Sequence, residues 1–532
     1  MKTTDTITRR IPTEAIIGAK TGLEKEGLRV RRDGQLSDKI HPTVLGSALT
    51  HPSITTDFSE SLLELITPPS HRGEDALAYL AETEAFVHQH LADELVWSAS
   101  MPCHIDDADD IPIAHYGHSD TGMSKHIYRR GLAHRYGKMM QVIAGVHFNF
   151  SFSEDLWPEL QSISGDRGAL RSFTDDSYMR TLRNVQRYDW LLLYLFGASP
   201  AVDRSFVGAV DRLKPFDRET YHAPYATSLR MGDMGYTNSV QAGNHIRIDY
   251  NSLDGYLAAL RKILDTSHPA YEEIGLIVDG AHRQLNTHLL QIENEFYSSV
   301  RPKQIARDGE SPHEALGQRG IRYLELRSID INPFVPSGVE VTQLHFLETF
   351  IHFCLFSDSP LYETDSSDIN RKNLNLTAYL GRSPDLKLSR DGEKVRMQVW
   401  ADQLFDQMQP VAELLDNTHD TDRYTIALKH YWRYLQEPEL TPSATLLREM
   451  REQGSGFTDY ILQQSVAHHS RFLSNCLNPA RLEYYEALSR QSLRQQCHME
   501  CRSQGVFDED DAKHADNSPC VVTPCVCASS YC

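Results

Sequence analysis

Five short runs in this chain carry acids, one imidazole and one guanidinium, in four of them at two-residue spacing. GLEKEGLRV carries Glu24 and Glu26, and TTDFSESLLELIT carries Asp57 and Glu64. GVHFNFSF carries His147 and Asn149, and LQIENEFYSSV carries Glu293 and Glu295 with Gln291 and Tyr297. IRYLELRSIDINPF carries Tyr323, Glu325 and Arg327. Successive side chains of a strand point to opposite sides, so residues two apart share a face. If the five runs are strands of one sheet, that face is crowded with carboxylates. Two carboxylates about 4 Å apart repel by roughly 4 kcal/mol at an effective dielectric near 20. Such a cluster ionises fully only around cations, and oxygen ligands with a single imidazole suit Mg²⁺ or Mn²⁺ better than zinc. Carboxylate-held Mg²⁺ commonly positions nucleotide phosphates. Arg327 beside Glu325 then offers a fork of donors to a transferring phosphoryl group. Arg129, in YRRG, and Arg230, in YATSLRMGDMGYTN, are further clamps for carboxylate or phosphate.

Each feature taken singly has a plainer explanation. An acidic pair on a strand is usually a solvated face, and Glu-x-Arg is usually a cross-strand ion pair. A lone histidine is more often hydrogen-bonded than ligating, and Tyr128 and Tyr236 are more often packing residues. By spacing alone the reading stays at a possible divalent-metal site.

The elements that must position these residues read as α+β. The run at Thr21–Val30 ends in Arg32-Asp33-Gly34, a hairpin-type turn. Helical spacing is expected over Arg72–Val96, Ser177–Phe196, Asn251–Leu264 and Val341–Phe356, over 391–417 and over much of 425–500. Residues 100–137 read as loops with one short helix, and Leu290–Val300 as a strand. The predicted architecture is a mainly antiparallel sheet with helices packed on one side and around its edge. Neither GxGxxG after a strand nor a P-loop occurs, and zinc-type HExxH or paired CxxC motifs are missing.

Formal net charge is −20, which disfavours nucleic acid or an anionic membrane as partner. No apolar run reaches membrane-spanning length, and the start, MKTTDTITRR, has no apolar signal core behind it. The expectation is a cytoplasmic, monomeric enzyme with small-molecule partners. Residues 1–503 are assigned to one catalytic domain. Residues 504–532 form an acidic and then Cys-rich tail, expected to be disordered.

The same runs resemble the bacterial glutamate–cysteine ligases (γ-glutamylcysteine synthetases), the first enzymes of glutathione synthesis. The similarity spans about residues 15 to 360. It is carried in order by GLEKEGLRV, HPTVLGSALTHPSITTDFSESLLELITP, YRRGLAHRYG, GVHFNFS, LFGASPA, PYATSLRMGDMGYTN, LQIENEFYSSVRPK, GESP and YLELRSIDINPF. The resemblance implies an antiparallel sheet curved into a funnel, as in glutamine synthetase-like ligases. It implies ATP-dependent phosphorylation of the glutamate side chain, followed by attack of the cysteine amine. Glu24, Glu26, Asp57, Glu64, His147 and Glu325 resemble the family's metal ligands. Arg327, with Glu325, resembles its catalytic pair, and Arg230 its glutamate-recognition arginine. Phe58, Tyr128, Arg129, Tyr236 and Tyr297 resemble the pocket on the cysteine side, and Asn149 lies among the substrate contacts. The adenine contacts are not placed.

Two features depart from that pattern. Gly27 stands where the family carries a bulkier residue, and the ending NSPCVVTPCVCASSYC has no counterpart. Read by itself, the tail is an unstructured appendage, a redox-sensitive segment, a metal-binding segment or a tethered peptide substrate. The alternatives to a glutamate–cysteine ligase are a relative with a different acceptor amine and a non-catalytic regulatory relative.

Overall fold

Seven antiparallel strands build the main sheet of the computed structural model, which describes residues 3–206, 212–235, 247–307 and 309–503. They are β1 (Lys20–Arg31), β2 (Ile54–Thr56), β3 (Leu62–Ile66), β4 (Glu94–Val96), β5 (Val146–Ser151), β6 (Val300–Lys303) and β7 (Tyr323–Ile329). Their order is β6–β7–β5–β1–β3–β2, with β4 pairing the far end of β1. The sheet is open, and smaller two- and three-stranded sheets lie outside it. The turn after β1 forms where expected. Gly34 takes a positive φ of 86°, and the Asp33 carboxylate accepts the Gln35 backbone N–H at 3.2 Å.

Seven of the helices support this sheet and its rim: α1 (Gly73–His90), α2 (Asp120–Tyr136), α3 (Leu170–Phe196), α4 (Val341–Phe356), α5 (Met397–His419), α6 (Arg423–Gln436) and α7 (Pro479–Cys501). α4 is buried along its whole length from Gln343 and packs against α3, α5 and α6. That is the place for a helix apolar on all sides. No described helix is long and apolar enough to cross a membrane.

Three expectations are corrected. The helix expected over Arg72–Val96 stops at His90, because Glu94–Val96 leaves it to pair with β1 and the Glu94 carboxylate takes the buried Arg29 guanidinium at 2.9 Å. The 100–137 stretch holds a 17-residue helix, α2, rather than a short one. Its signal was weak because it buries His126, Arg129 and Arg135 along with Met123, Ile127 and Leu132, which breaks up the apolar stripe. Leu290–Val300 is not a strand: Glu293–Glu295 is a 3₁₀ turn, and pairing begins only at Val300. Tyr236 and the tail cysteines Cys520, Cys525, Cys527 and Cys532 lie outside the described residues.

The sheet is held from behind by polar anchors. Lys25, on the opposite face of β1 from Glu24 and Glu26, pairs with the buried Glu84 of α1. From α4, Glu348 accepts hydrogen bonds from Thr21 at 3.1 Å and from Tyr424 at 2.8 Å. Burial pushes the Glu348 carboxyl up to about 7. A carboxyl raised in the folded state keeps a proton that the unfolded chain has lost. Its contribution therefore falls as pH rises from about 4.5 through about 7. Glu348→Gln removes that pH-dependent cost. Urea unfolding should show the variant gaining on the wild type by about 2–3 kcal/mol between pH 5 and pH 8. A difference that does not change with pH would contradict a protonated Glu348.

Candidate functional site

The main-chain register brings the predicted residues of four strands side by side. Glu26 lies opposite Glu64 across β1–β3, and Glu24 opposite His147 across β1–β5. Asn149 lies opposite Glu325 across β5–β7, and Glu325 opposite Arg301 across β7–β6. Strand alternation then places these side chains on one face.

At the β1–β3–β5 end, one ligand atom each from Glu24, Glu64 and His147 lies within 4.8 Å of the other two. Nδ1 of His147 is 2.9 Å from Oε2 of Glu24, and its Nε2 is 3.7 Å from Oε1 of Glu26. The Asn149 amide donates to Oε1 of Glu24 at 2.8 Å, and the Gly145 N–H donates to Oε2 of Glu26 at 2.6 Å. The electrostatics are those of buried carboxylates crowded together. Burial, then the charges of Glu24, Asp57 and Glu26, push the Glu64 carboxyl well above its ordinary range. Burial likewise raises Glu26, against the pull of His147. Burial would also raise Glu24, but its hydrogen bond to His147 and the charges of His147 and Lys303 hold it below the ordinary value.

Glu325 stands at the other end among cations. Its carboxylate is 3.1 Å from Nη1 of Arg327, 3.2 Å from Nζ of Lys303 and 3.8 Å from Nη1 of Arg301. Burial opposes ionisation there, but Lys303, Arg327 and Arg301 together hold the carboxyl well below its usual range. Tyr323, on the same face, lies opposite Lys303.

Asp57 follows β2 at the rim of the carboxylate group, with its Oδ1 3.3 Å from Nη2 of Arg129 on α2. Tyr128 neighbours Arg129 and is largely buried. Tyr297 donates to Oε1 of Gln141 at 3.1 Å. Phe58, next to Asp57, is buried in the hydrophobic core. Glu293 and Glu295 do not join the acidic face. Glu295 is buried against Arg135 at 3.0 Å and accepts the Tyr136 hydroxyl at 2.6 Å. Glu293 accepts the His313 N–H at 3.3 Å.

Sequence reasoning missed Arg301 and Lys303. They stand in the VRPK run at alternating positions, which is the signal that could have found them. Their own strand is too short to declare itself, and only the register shows that they face Glu325.

Arg230 is buried under this face. Its Nη2 donates to the Arg327 carbonyl at 2.8 Å, and its Nη1 is 3.6 Å from Oδ1 of Asp330. Asp330 is itself fixed by the Ala198 N–H at 2.8 Å and the Ser228 hydroxyl at 3.0 Å. Gly145 makes room for the guanidinium, since a Cβ there would lie 2.1 Å from Nη2 of Arg230 and 2.6 Å from its Cζ. The pinned arginine cannot retreat at low cost. Gly145→Ala should lower turnover at least tenfold while the protein still melts cooperatively. Steady-state kinetics beside a thermal melt checks this, and wild-type turnover would show that Arg230 has room to move.

The glutamate–cysteine ligase family profile matches residues 5–377. A glutamate–cysteine ligase of Pseudomonas fluorescens is 46% identical over 488 residues, covering 92% of this chain and 91% of that protein. One from Alcanivorax borkumensis is 43% identical over 501 residues, covering 93% and 95%. Among solved structures, a Francisella tularensis glutamate–cysteine ligase in complex with AMP superposes with a TM-score of 0.87 at 35% identity, over 94% of this chain and 98% of that one. A bifunctional glutathione synthetase from Pasteurella multocida shares the fold, with a TM-score of 0.72 at 24% identity over 92% of this chain and 58% of that one. The carboxylate face, the cation row beside it and these matches over most of the chain lead to one conclusion: the protein belongs to the glutamate–cysteine ligase family.

Proposed function

We propose that this protein joins the side-chain carboxylate of glutamate to the amine of L-cysteine, using ATP and passing through a γ-glutamyl phosphate, as the first step of glutathione synthesis. The observation that carries this reading is the polarity of the sheet face. Carboxylates gather on β1 and β3 with His147 of β5, and cations gather on β6 and β7. An anionic polyphosphate and an anionic acceptor carboxylate can meet between them only if their charges are offset.

The residues fit Mg²⁺ or Mn²⁺. Glu24, Glu64 and His147 converge, and the raised Glu64 carboxyl reflects like charges that a divalent cation would neutralise. Glu26, Asp57 and Glu325 complete the candidate ligand set. When bound, the metal neutralises repulsion between ATP oxygens and the glutamate carboxylate. Arg327, fixed by Glu325, meets charge on the phosphoryl group in transfer, with Arg301 and Lys303 beside it. Arg230 supports the Arg327 backbone and, by the family resemblance, is the arginine proposed to recognise glutamate. Arg129, Tyr128, Tyr297, Tyr236 and Asn149 serve the acceptor and substrate contacts. Holding donor and acceptor in line supplies the entropic part of the rate enhancement.

The free buried thiols of Cys103 and Cys354 suit a reducing cytoplasm.

Phosphate release with ATP, Mg²⁺, glutamate and a panel of amines tests the proposal. Cysteine should be the best acceptor, and release that is indifferent to the amine would refute it. Arg327→Ala should lose about 100- to 1000-fold in turnover, the usual effect of deleting one preorganised donor. Near-normal turnover would remove Arg327 from the mechanism. Glu24→Gln should raise the Mg²⁺ concentration needed for half-maximal rate, and an unshifted metal titration would count against Glu24 as a ligand.

A further inference from the structure

Lys125 lies one helical turn before Arg129 on α2, and both cations cover the ring of Tyr116. Nζ of Lys125 is 5.1 Å from the ring centroid, and the Arg129 guanidinium carbon is 4.6 Å from it. Tyr116 is buried and fixed, donating its hydroxyl to the carbonyls of Thr56 at 2.6 Å and Asp57 at 2.7 Å. Arg129 is committed to its neighbours. Its Nη2 meets the Asp57 carboxylate at 3.3 Å, its Nε donates to the Asp57 carbonyl, and its Nη1 donates to the Lys125 carbonyl at 3.0 Å.

Lys125 is different. Its side chain is exposed, and it makes no ion pair among the described residues. The surrounding protein nevertheless desolvates its ammonium and, with the Arg129 charge, lowers its pKa against the pull of Glu64 and Asp57. A charge that is exposed yet desolvated belongs at the rim of a cleft. This rim is the one that carries Asp57 and Glu64.

An amino-acid acceptor brings a single full negative charge here. Its thiol is neutral near pH 7, and its α-carboxylate is the anion. Beside Asp57 and Glu64 that carboxylate would be repelled unless a cation met it. We infer that Lys125, next to Arg129, binds the α-carboxylate of the acceptor amine and so sets the preference for an amino acid over a simple amine. The inference rests on the proposed ligase reaction and adds a specificity residue to it. The cation–π contact at an exposed site is weaker than a charge-assisted hydrogen bond, so the ammonium leaves the Tyr116 ring for the carboxylate when the acceptor arrives.

Cysteamine, which is cysteine without its carboxylate, makes the test specific. The full-length protein, Lys125→Met and Lys125→Arg should be compared by kcat/KM for cysteine and for cysteamine, and by KM for glutamate and for ATP. Lys125→Met should raise the KM for cysteine at least tenfold and cut the preference for cysteine over cysteamine by the same factor. The KM values for glutamate and ATP should hold, and Lys125→Arg should keep most of the preference. An equal loss with both amines, or an unchanged KM for cysteine, would overturn the assignment. A wild-type protein that releases no phosphate with either amine would instead overturn the ligase reading on which the assignment stands.

Discussion

The register between β1 and its neighbours is the constraint on which the site depends. Glu24 and Glu26 reach His147 and Glu64 only because β1 pairs β5 and β3 in this alignment. A slip of one residue would turn both carboxylates to the opposite face, where Lys25 now meets Glu84. That back face leaves little freedom to slip. A buried Lys25–Glu84 pair is costly to separate, because either partner alone would be a charge held out of water. Thr21, four residues before Lys25, is tied to Glu348 of α4. At the far end of β1, Arg29 is fully buried and holds Glu94, which keeps β4 in place.

Charge is distributed across this sheet in a way that burial alone would forbid. Glu24, Glu26, Glu64 and Glu325 are close enough for their charges to act on one another, and burial acts on each to raise its pKa. Their outcomes differ because their neighbours differ. Glu325, among Lys303, Arg327 and Arg301, stays ionised, whereas Glu64, facing other carboxylates, is driven toward protonation. Glu325 is thus neutralised within the protein with positive charge left over, whereas the acidic end leaves like charges facing one another. Substrates that are themselves polyanions fit between two such ends.

The helices contribute support and specificity more than chemistry. α2 brings Lys125, Tyr128 and Arg129 to the rim, and Arg135 on its last turn locks it to the Glu295 turn through a fully buried pair. α7 reaches the start of α2 as well. Glu500 accepts the His118 N–H at 3.0 Å, and the Ser503 hydroxyl just beyond the helix accepts the Asp120 N–H at 3.0 Å. The helix Pro479–Cys501 therefore braces the start of α2 although it lies far from it in sequence.

The sequence by itself determined the sheet strands that carry chemistry, because a half-buried strand must alternate. Glu24, Glu26, Glu64, His147, Asn149, Glu325 and Arg327 were legible from that period of two. It also determined the buried helix α4 and the family, through long specific runs. It could not place residues whose partners are distant in the chain. Glu293 and Glu295 alternate like a strand, yet Arg135 draws Glu295 into a buried pair and the backbone into a 3₁₀ turn. Phe58 follows Asp57 in the chain but enters the core, and α2 hides its helical period by burying arginine and histidine. Arg301, Lys303 and Lys125 look like ordinary surface cations until tertiary pairing sets them beside Glu325 and Tyr116. Alternation is a property of the local backbone, whereas neutralisation of a buried charge depends on whatever the fold brings within a few ångströms. For that reason only the tertiary structure decided which carboxylates crowd one another and which already hold an arginine.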